Sequence, residues 1–341
     1  MRPDAATGMS EAELAALGVH RIAVPIPFPQ AGGPVNVYAI EEAGGGLVLF
    51  DSGLGSAEAH AALDEGFRRM GRGFDEVTRI VVSHGHVDHY GGARFVQERH
   101  GGDLPVFAHP ADLPKVTEGW RWCDRAPAYS AHLARLGVPA DVIRATAAAG
   151  ERSFALARRV PEARAIRAGE RIRARHLDLE VLHMPGHTPG LVCLYDRARR
   201  LFFSDDHLLQ KVSPNPLIEL GPNGEEGFFR PLLAYLESAR RMHALEVDLV
   251  LPGHGPPFSG HRAVIDRLVE FYGKRQSRLR ELLAPRPLSA WELSCALFPS
   301  AKPADAFLTM SETVANLEAL EARGEVVRGE IAGGYRFALA G

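Results

Sequence analysis

Cysteine is scarce in this chain. Three of 341 residues, Cys123, Cys193 and Cys295, lie far apart, too few and too scattered for a disulfide framework. No apolar run approaches the roughly 18–20 residues needed to span a bilayer. Residues 1–18 alternate alanine with acids and lack the apolar core of a secretion signal. Charge of one sign is also missing. The formal net charge is −3, so no global field draws the chain to nucleic acid or to an anionic membrane. Internal repeats and low-complexity tracts are absent. The expectation is a soluble, cytoplasmic protein with no membrane partner. What the chain does have is 46% hydrophobic residues and 24% charged ones, enough for one large domain with a small appendage. Its 35 glycines and 24 prolines foretell many turns and loops.

Periodicity predicts an alternation of strands and helices, and hence an α/β layered fold. Strands are expected at 21–27, 35–40, 47–50, 78–83, 106–108, 177–184, 191–195, 201–204 and 247–251, with helices at 56–70 and 90–100. Leu232, Leu236, Ala239 and Met242 fall on one helical face. Residues 111–168 are rich in alanine and arginine and read as a helical insertion into a main body spanning 1–260. Residues 261–284 read as a linking helix and 285–341 as a small C-terminal module. In that module Ser289/Glu292 and Thr309/Glu312 match the capping box, Gly324 supplies a helix stop, and Gly333-Gly334 sits between two short strands. Helix, helix, hairpin is the order of a winged-helix-like unit.

The chemistry concentrates in Ser83-His84-Gly85-His86-Val87-Asp88-His89, directly after a predicted buried strand. Three histidines and an aspartate within six residues can converge on metal. On a regular strand His84, His86 and Asp88 would share one side; a loop lets the donors divide between two neighbouring ions. Imidazole and carboxylate with no thiolate nearby suit Zn²⁺, Fe or Mn.

This segment resembles the His-x-His-x-Asp-His signature of the metallo-β-lactamase superfamily, and the other landmarks of that family follow in order. Asp51 ends Leu-Val-Leu-Phe-Asp-Ser-Gly, and His187 lies in Met-Pro-Gly-His-Thr-Pro-Gly. Asp206 lies in Leu-Phe-Phe-Ser-Asp-Asp-His, and His254 in Leu-Pro-Gly-His-Gly-Pro-Pro. The resemblance implies a four-layer αββα sandwich with a dinuclear site at one edge of the sheets. His84, His86 and His187 would hold one divalent ion, Zn²⁺ before Fe or Mn. Asp88, His89 and His254 would hold the second, and Asp206 would bridge them. Asp51 would stand behind the ligands, orienting the loop or a ligand histidine. The pair Asp205-Asp206 departs from the family pattern, where a small residue precedes the bridging aspartate. The following His-Leu-Leu favours Asp206, leaving Asp205 as a supporting or surface acid. His207, beside Asp206, is a further candidate for contact with the site, whereas His109 and His183 read as structural.

The implied activity is hydrolysis of a small acyl ester, thioester or lactone by a hydroxide held between the ions, with Asp88 returning a proton to the leaving group. A true β-lactamase is disfavoured, because those enzymes generally lack the bridging aspartate. A glutathione thioesterase is disfavoured too, since its basic C-terminal pattern is missing, and oxygen-reducing diiron relatives place Glu where His86 stands. The rival is a metal-dependent endoribonuclease of the same superfamily. Residues 286–341 carry five basic residues against seven acids, which makes nucleic acid a poor partner and suggests that the module shapes the pocket or a homo-oligomer contact. Between residues 130 and 175 stand ten arginines against four acids, either a solvated face or a cationic rim for an anionic substrate. Lys211 is an unassigned cation just after the Asp206 loop. Trp120, Trp122, Tyr129, Phe228 and Phe229 could wall an acyl pocket.

Overall fold

The computed structural model describes residues 9–119, 122–331 and 333–341, and at 122 and 123 the backbone alone. Residues 1–8 and Trp120 therefore lie outside the described residues, as does the side chain of Trp122. Two sheets dominate. The first contains β1 (Val19–Val24), β2 (Val35–Glu41), β3 (Leu47–Phe50), β4 (Val77–Val81), β5 (Val106–Ala108) and β6 (Arg164–Ala165), in that spatial order. The second contains β7 (Arg171–Arg173), β8 (Asp178–His183), β9 (Val192–Asp196), β10 (Leu201–Asp205) and β11 (Leu249–Pro252), ordered β11-β10-β9-β8-β7. A hairpin of β12 (Val326–Ile331) and β13 (Gly334–Leu339) stands apart from both.

The apolar run of β3 is explained by its place. It is fully buried, antiparallel to β2 on one side and parallel to β4 on the other, so neither face can carry polar residues. The crossover from β3 to β4 is the helix Ala57–Met70. Ser56 starts it by accepting the Ala59 N–H on its Oγ at 3.2 Å, and Gly71 ends it at φ +65°. Ala59, Leu63 and Phe67, spaced by four, face inward.

Three apolar cores separate the layers. One lies between the sheets, where Tyr38, Val48 and Phe50 meet Val181, Leu194 and Phe203. The outer face of the first sheet packs on the helices Ala57–Met70 and Ala93–His100 through Leu63, Phe67 and Val96. That of the second packs on Pro231–His243 and His261–Leu283 through Leu232, Tyr235, Val264 and Leu268. This is the αββα sandwich, and the helix expected as a linker forms part of its outer layer.

A fourth core joins the predicted insertion to the C-terminal residues. Tyr129, Leu133, Leu136 and Val142 pack with Leu288, Leu293, Met310, Leu317 and Phe337, and Leu279 and Leu283 extend the long helix into the same cluster. Several arginines of the insertion are paired. Arg135 meets Glu226 at 3.1 Å and lies over the Tyr335 ring, and Arg158 meets Glu98 at 2.7 Å. Ser289 caps the helix Ala290–Leu297 with reciprocal bonds to Glu292 at 2.8 and 3.1 Å. The second capping box does not form. A 3₁₀ turn at Pro303–Asp305 already launches the helix Ala306–Ala322. Thr309 thus lies inside it, bonded to the Ala306 carbonyl, and Glu312 turns to Arg275. Among the described residues no helix is long and apolar enough to cross a membrane.

Candidate metal centre

β3 and β4 are parallel, as are β10 and β11, and β8 runs with β10 because both oppose β9. The carboxyl ends of all five strands therefore reach one edge of the sandwich. The loops there are tied across the sheets. Asn36 Nδ2 donates to the Pro252 and Gly255 carbonyls at 2.8 and 2.7 Å, and the Val192 N–H donates to the Ser83 carbonyl at 2.8 Å. Each landmark residue of the sequence leaves one of these ends.

Beyond β4 the chain bends at 83–85, and a four-residue helix, Val87–Tyr90, carries Asp88 and His89. His84, His86 and His187 converge. His84 Nε2 and His187 Nε2 lie 3.0 and 2.9 Å from His86 Nδ1. Asp88, His89 and His254 form a second trio, with Asp88 Oδ2 at 3.9 Å from His89 Nε2 and 3.6 Å from His254 Nε2. Either trio could hold a metal ion. Asp206 lies between them: Oδ2 is 3.4 Å from His187 Nε2 and 3.7 Å from His89 Nε2, and Oδ1 is 3.5 Å from His254 Nε2.

Four of the five imidazoles are held from behind. His89 Nδ1 donates to Asp51 Oδ2 at 2.8 Å, His187 Nδ1 to the Asn215 carbonyl at 3.0 Å, and His254 Nδ1 faces the Gly33 and Pro34 carbonyls at 3.3 Å. His84 Nδ1 lies 2.9 Å from Ser83 Oγ and 3.2 Å from Asp205 Oδ1. A carboxylate or carbonyl only accepts, so the proton sits on the rear nitrogen and the lone pair points forward into the trio. Asp51 also accepts from the Ser83 N–H and Oγ at 2.7 and 2.8 Å. Asp205 Oδ1 is 3.3 Å from His89 Nδ1, on the rear side of both rings it touches. Asp51 and Asp205 adopt left-handed backbone, φ +66° and +48°, which non-glycine residues rarely do without a reason in their surroundings.

The electrostatics match a cation site. Burial, reinforced by His187 and His84, holds His86 well below the usual imidazole range. Burial likewise lowers His187 to about 4, against the pull of Asp206. For His89 burial works downward, but Asp205, Asp88, Asp206 and Asp51 outweigh it and raise the ring well above its ordinary value. Burial would raise Asp206, yet His254, His89 and His187 keep it ionised. His89 Nε2 and Asp206 Oδ1 are buried without a hydrogen-bond partner, an arrangement that costs free energy unless something fills it. Nitrogens about 2.0–2.1 Å from one tetrahedral ion lie roughly 3.3 Å apart, near the spacing of the first trio. The donors fit divalent metal.

Comparison with known proteins agrees. The sequence profile of the Metallo-beta-lactamase superfamily matches residues 31–254. The chain belongs to the metallo-beta-lactamase superfamily. A relative named "Probable metallo-hydrolase YqjP", from Bacillus subtilis, is 30% identical over 88% of this chain and 92% of its own length. "Acyl-coenzyme A thioesterase MBLAC2" from Gallus gallus is 28% identical over 53% of this chain and 58% of its own. A solved metallo-beta-lactamase family protein of Thermus thermophilus superposes with TM-score 0.79 at 28% identity, covering 94% of this chain and 98% of the other. A beta-lactamase domain protein of Burkholderia ambifaria gives TM-score 0.81 at 26% identity, covering 95% and 92%.

The metallo-hydrolase has a cavity of about 570 Å³ beside both trios, reached by His86, Asp88, His187, Asp206 and His254. Its remaining wall comes from Phe28, Gln30 and Ala31 between β1 and β2, the loop after Asp206, the long helix His261–Leu283, and Leu308 of the C-terminal module. No described residue of the insertion lines it. Tyr129 is instead buried in the fourth core, with its hydroxyl accepting from the Leu220 N–H. Phe228 is exposed, and Phe229 borders a separate small cavity. His207 enters neither trio; it is buried against Tyr235, with both ring nitrogens unpaired. His109 and His183 stack on each other 3.9 Å apart.

Sequence reasoning missed Asp112. Its buried Oδ2 accepts from the Gly85 N–H at 2.9 Å and from Thr188 Oγ1 at 2.5 Å, tying together the loops of His84, His86 and His187. Lys115, also buried, reaches Asp112 at 3.2 Å and Glu219 at 2.9 Å. Gly85 is required there, because a Cβ would lie 2.6 Å from Lys115 Cδ. No motif surrounds these residues, and an acid three positions before a lysine resembles an ordinary helical pair.

Proposed function

We propose that this metallo-hydrolase cleaves a small acyl ester, thioester or lactone at a pair of divalent ions, Zn²⁺ first and Fe or Mn next. The observation that carries the reading is Asp206 between two donor trios, at the floor of a largely apolar cavity. On this reading His84, His86 and His187 would hold one ion and Asp88, His89 and His254 the other, with Asp206 placed to reach both. Two ions so placed supply Lewis-acid polarisation of the scissile carbonyl and activation of water at neutral pH. The chain's residues do the rest. Asp51 and Asp205 fix the tautomers and aim of His84 and His89. Asp88 lines the cavity as well as the second trio, which puts its carboxyl where a departing alkoxide or thiolate can be protonated. Phe28, Leu209, Leu268 and Phe271 give the acyl part a dry wall. The thioesterase relative supports acyl chemistry, and the acidic balance of residues 286–341 speaks against RNA.

The test is a panel of acyl thioesters, lactones, nitrocefin and single-stranded RNA, assayed before and after chelation. The expected result is thioester or lactone hydrolysis that disappears with the chelator and returns with added Zn²⁺. RNA cleavage without acyl hydrolysis would replace this reading with the endoribonuclease one.

A further inference from the structure

Away from the metal donors, the cavity wall is uneven in charge. Among the described residues its only acids are Asp88 and Asp206, both in the candidate metal centre; the remainder carries two cations, Lys211 and Arg267, and no carboxylate. The rest of that wall is largely apolar, with Phe28, Val212, Leu268 and Phe271 among its members.

Both cations are exposed, and neither has a carboxylate partner among the described residues. Two other lysines are neutralised, Lys115 by Asp112 and Glu219, and Lys274 by Glu270. The acids nearest Arg267 on its own helix are engaged elsewhere: Asp266 faces His243, and Glu270 takes Lys274. Arg267 Nη2 donates to the Gln210 carbonyl, which anchors the guanidinium beside the backbone of Lys211. The remaining N–H groups of that fork are available to an acceptor.

We propose that Lys211 and Arg267 form an anion-binding pair, and that the substrate is an acyl compound carrying a carboxylate or phosphate away from the bond that breaks. This rests on the acyl-hydrolase reading and adds to it the class of substrate. It also moves the source of positive charge. No described residue of the Arg-rich insertion, which the sequence offered as a cationic rim, lines the cavity, whereas the loop after Asp206 and the long helix do. An arginine fork and a lysine point charge on one wall suit an oxyanion with several acceptor oxygens. The apolar remainder holds the uncharged chain.

The test uses the metal-loaded full chain and three non-hydrolysable thioethers, followed by calorimetry. These are a hexyl thioether of N-acetylcysteamine, its 5-carboxypentyl counterpart, and the hexyl thioether of phosphopantetheine. The wild type is expected to bind at least one anionic thioether about tenfold or more tightly than the neutral one, the scale of charge-assisted hydrogen bonds. The carboxypentyl and phosphopantetheine arms separate an anion on the acyl part from one on the leaving group. The double variant Lys211→Ala/Arg267→Ala is expected to lose that preference while keeping the neutral Kd. Equal binding of all three by the wild type, no binding of any, a preference that survives in the variant, or a matching loss for the neutral thioether would each overturn the proposal. Because the readout is binding, failure here is distinct from failure of the hydrolysis panel.

Discussion

Asp206→Asn is expected to lower acyl hydrolysis by about a thousandfold, the several kcal/mol that metal-assisted charge stabilisation supplies. Asp205→Asn is expected to cost only about 10–100-fold, as changes behind metal ligands do. The contrast follows from where the two carboxylates point. Asp206 reaches His187, His89 and His254 on their forward nitrogens at 3.4–3.7 Å. Asp205 reaches His84 and His89 on their rear nitrogens at 3.2 and 3.3 Å. Asparagine at 206 keeps the shape but removes the negative charge between the two trios. Asparagine at 205 loosens the aim of two rings and leaves the front donors in place. Initial rates and metal content of the two purified variants check this. The reverse order of effects would move the bridging role to Asp205.

His86→Ala is the second large loss expected. His86 Nδ1 is the shared corner of the first trio, 3.0 Å from His84 Nε2 and 2.9 Å from His187 Nε2. Its removal leaves two imidazoles where three were, while Asp88, His89 and His254 remain. Bound metal should fall from two equivalents to about one, and turnover by about a thousandfold or more. The side chain lies at the cavity floor rather than in an apolar core, so thermal unfolding should shift little once both proteins are stripped of metal. Undiminished turnover with unchanged metal content would remove His86 from the site.

The site was legible where its donors are close in sequence or set in distinctive loops. His84, His86, Asp88 and His89 lie within one six-residue stretch, and His187 and His254 stand in Pro-Gly-His loops that the family resemblance singles out. Asp205 and Asp206 were harder to separate, because neighbours in a strand ordinarily face opposite sides. Here the pairing of β10 with β11 slips between Phe203 and Asp205, and the left-handed turn at Asp205 brings both carboxylates to the same group of rings. Asp112 was invisible for a different reason. Its role exists only because the loop after β5 and the loop after β8 meet, a juxtaposition of residues 76 positions apart. The false capping box at Thr309 shows the converse: the local pattern was correct, but Pro303 and Asp305 had already begun the turn. Periodicity pointed to an α/β layered fold, and the four-layer αββα arrangement came from the family resemblance. The packing of the insertion against the C-terminal residues did not, since helical faces do not announce their partners.

The central claim is that the two trios each hold a metal ion and share Asp206. It is tested most directly by anomalous diffraction from crystals of the zinc-loaded chain, collected on either side of the zinc absorption edge. Two peaks are expected roughly 3.5–4 Å apart, one among His84, His86 and His187, the other among Asp88, His89 and His254, with Asp206 reaching both. A single peak, or none at these residues in fully loaded protein, would contradict it.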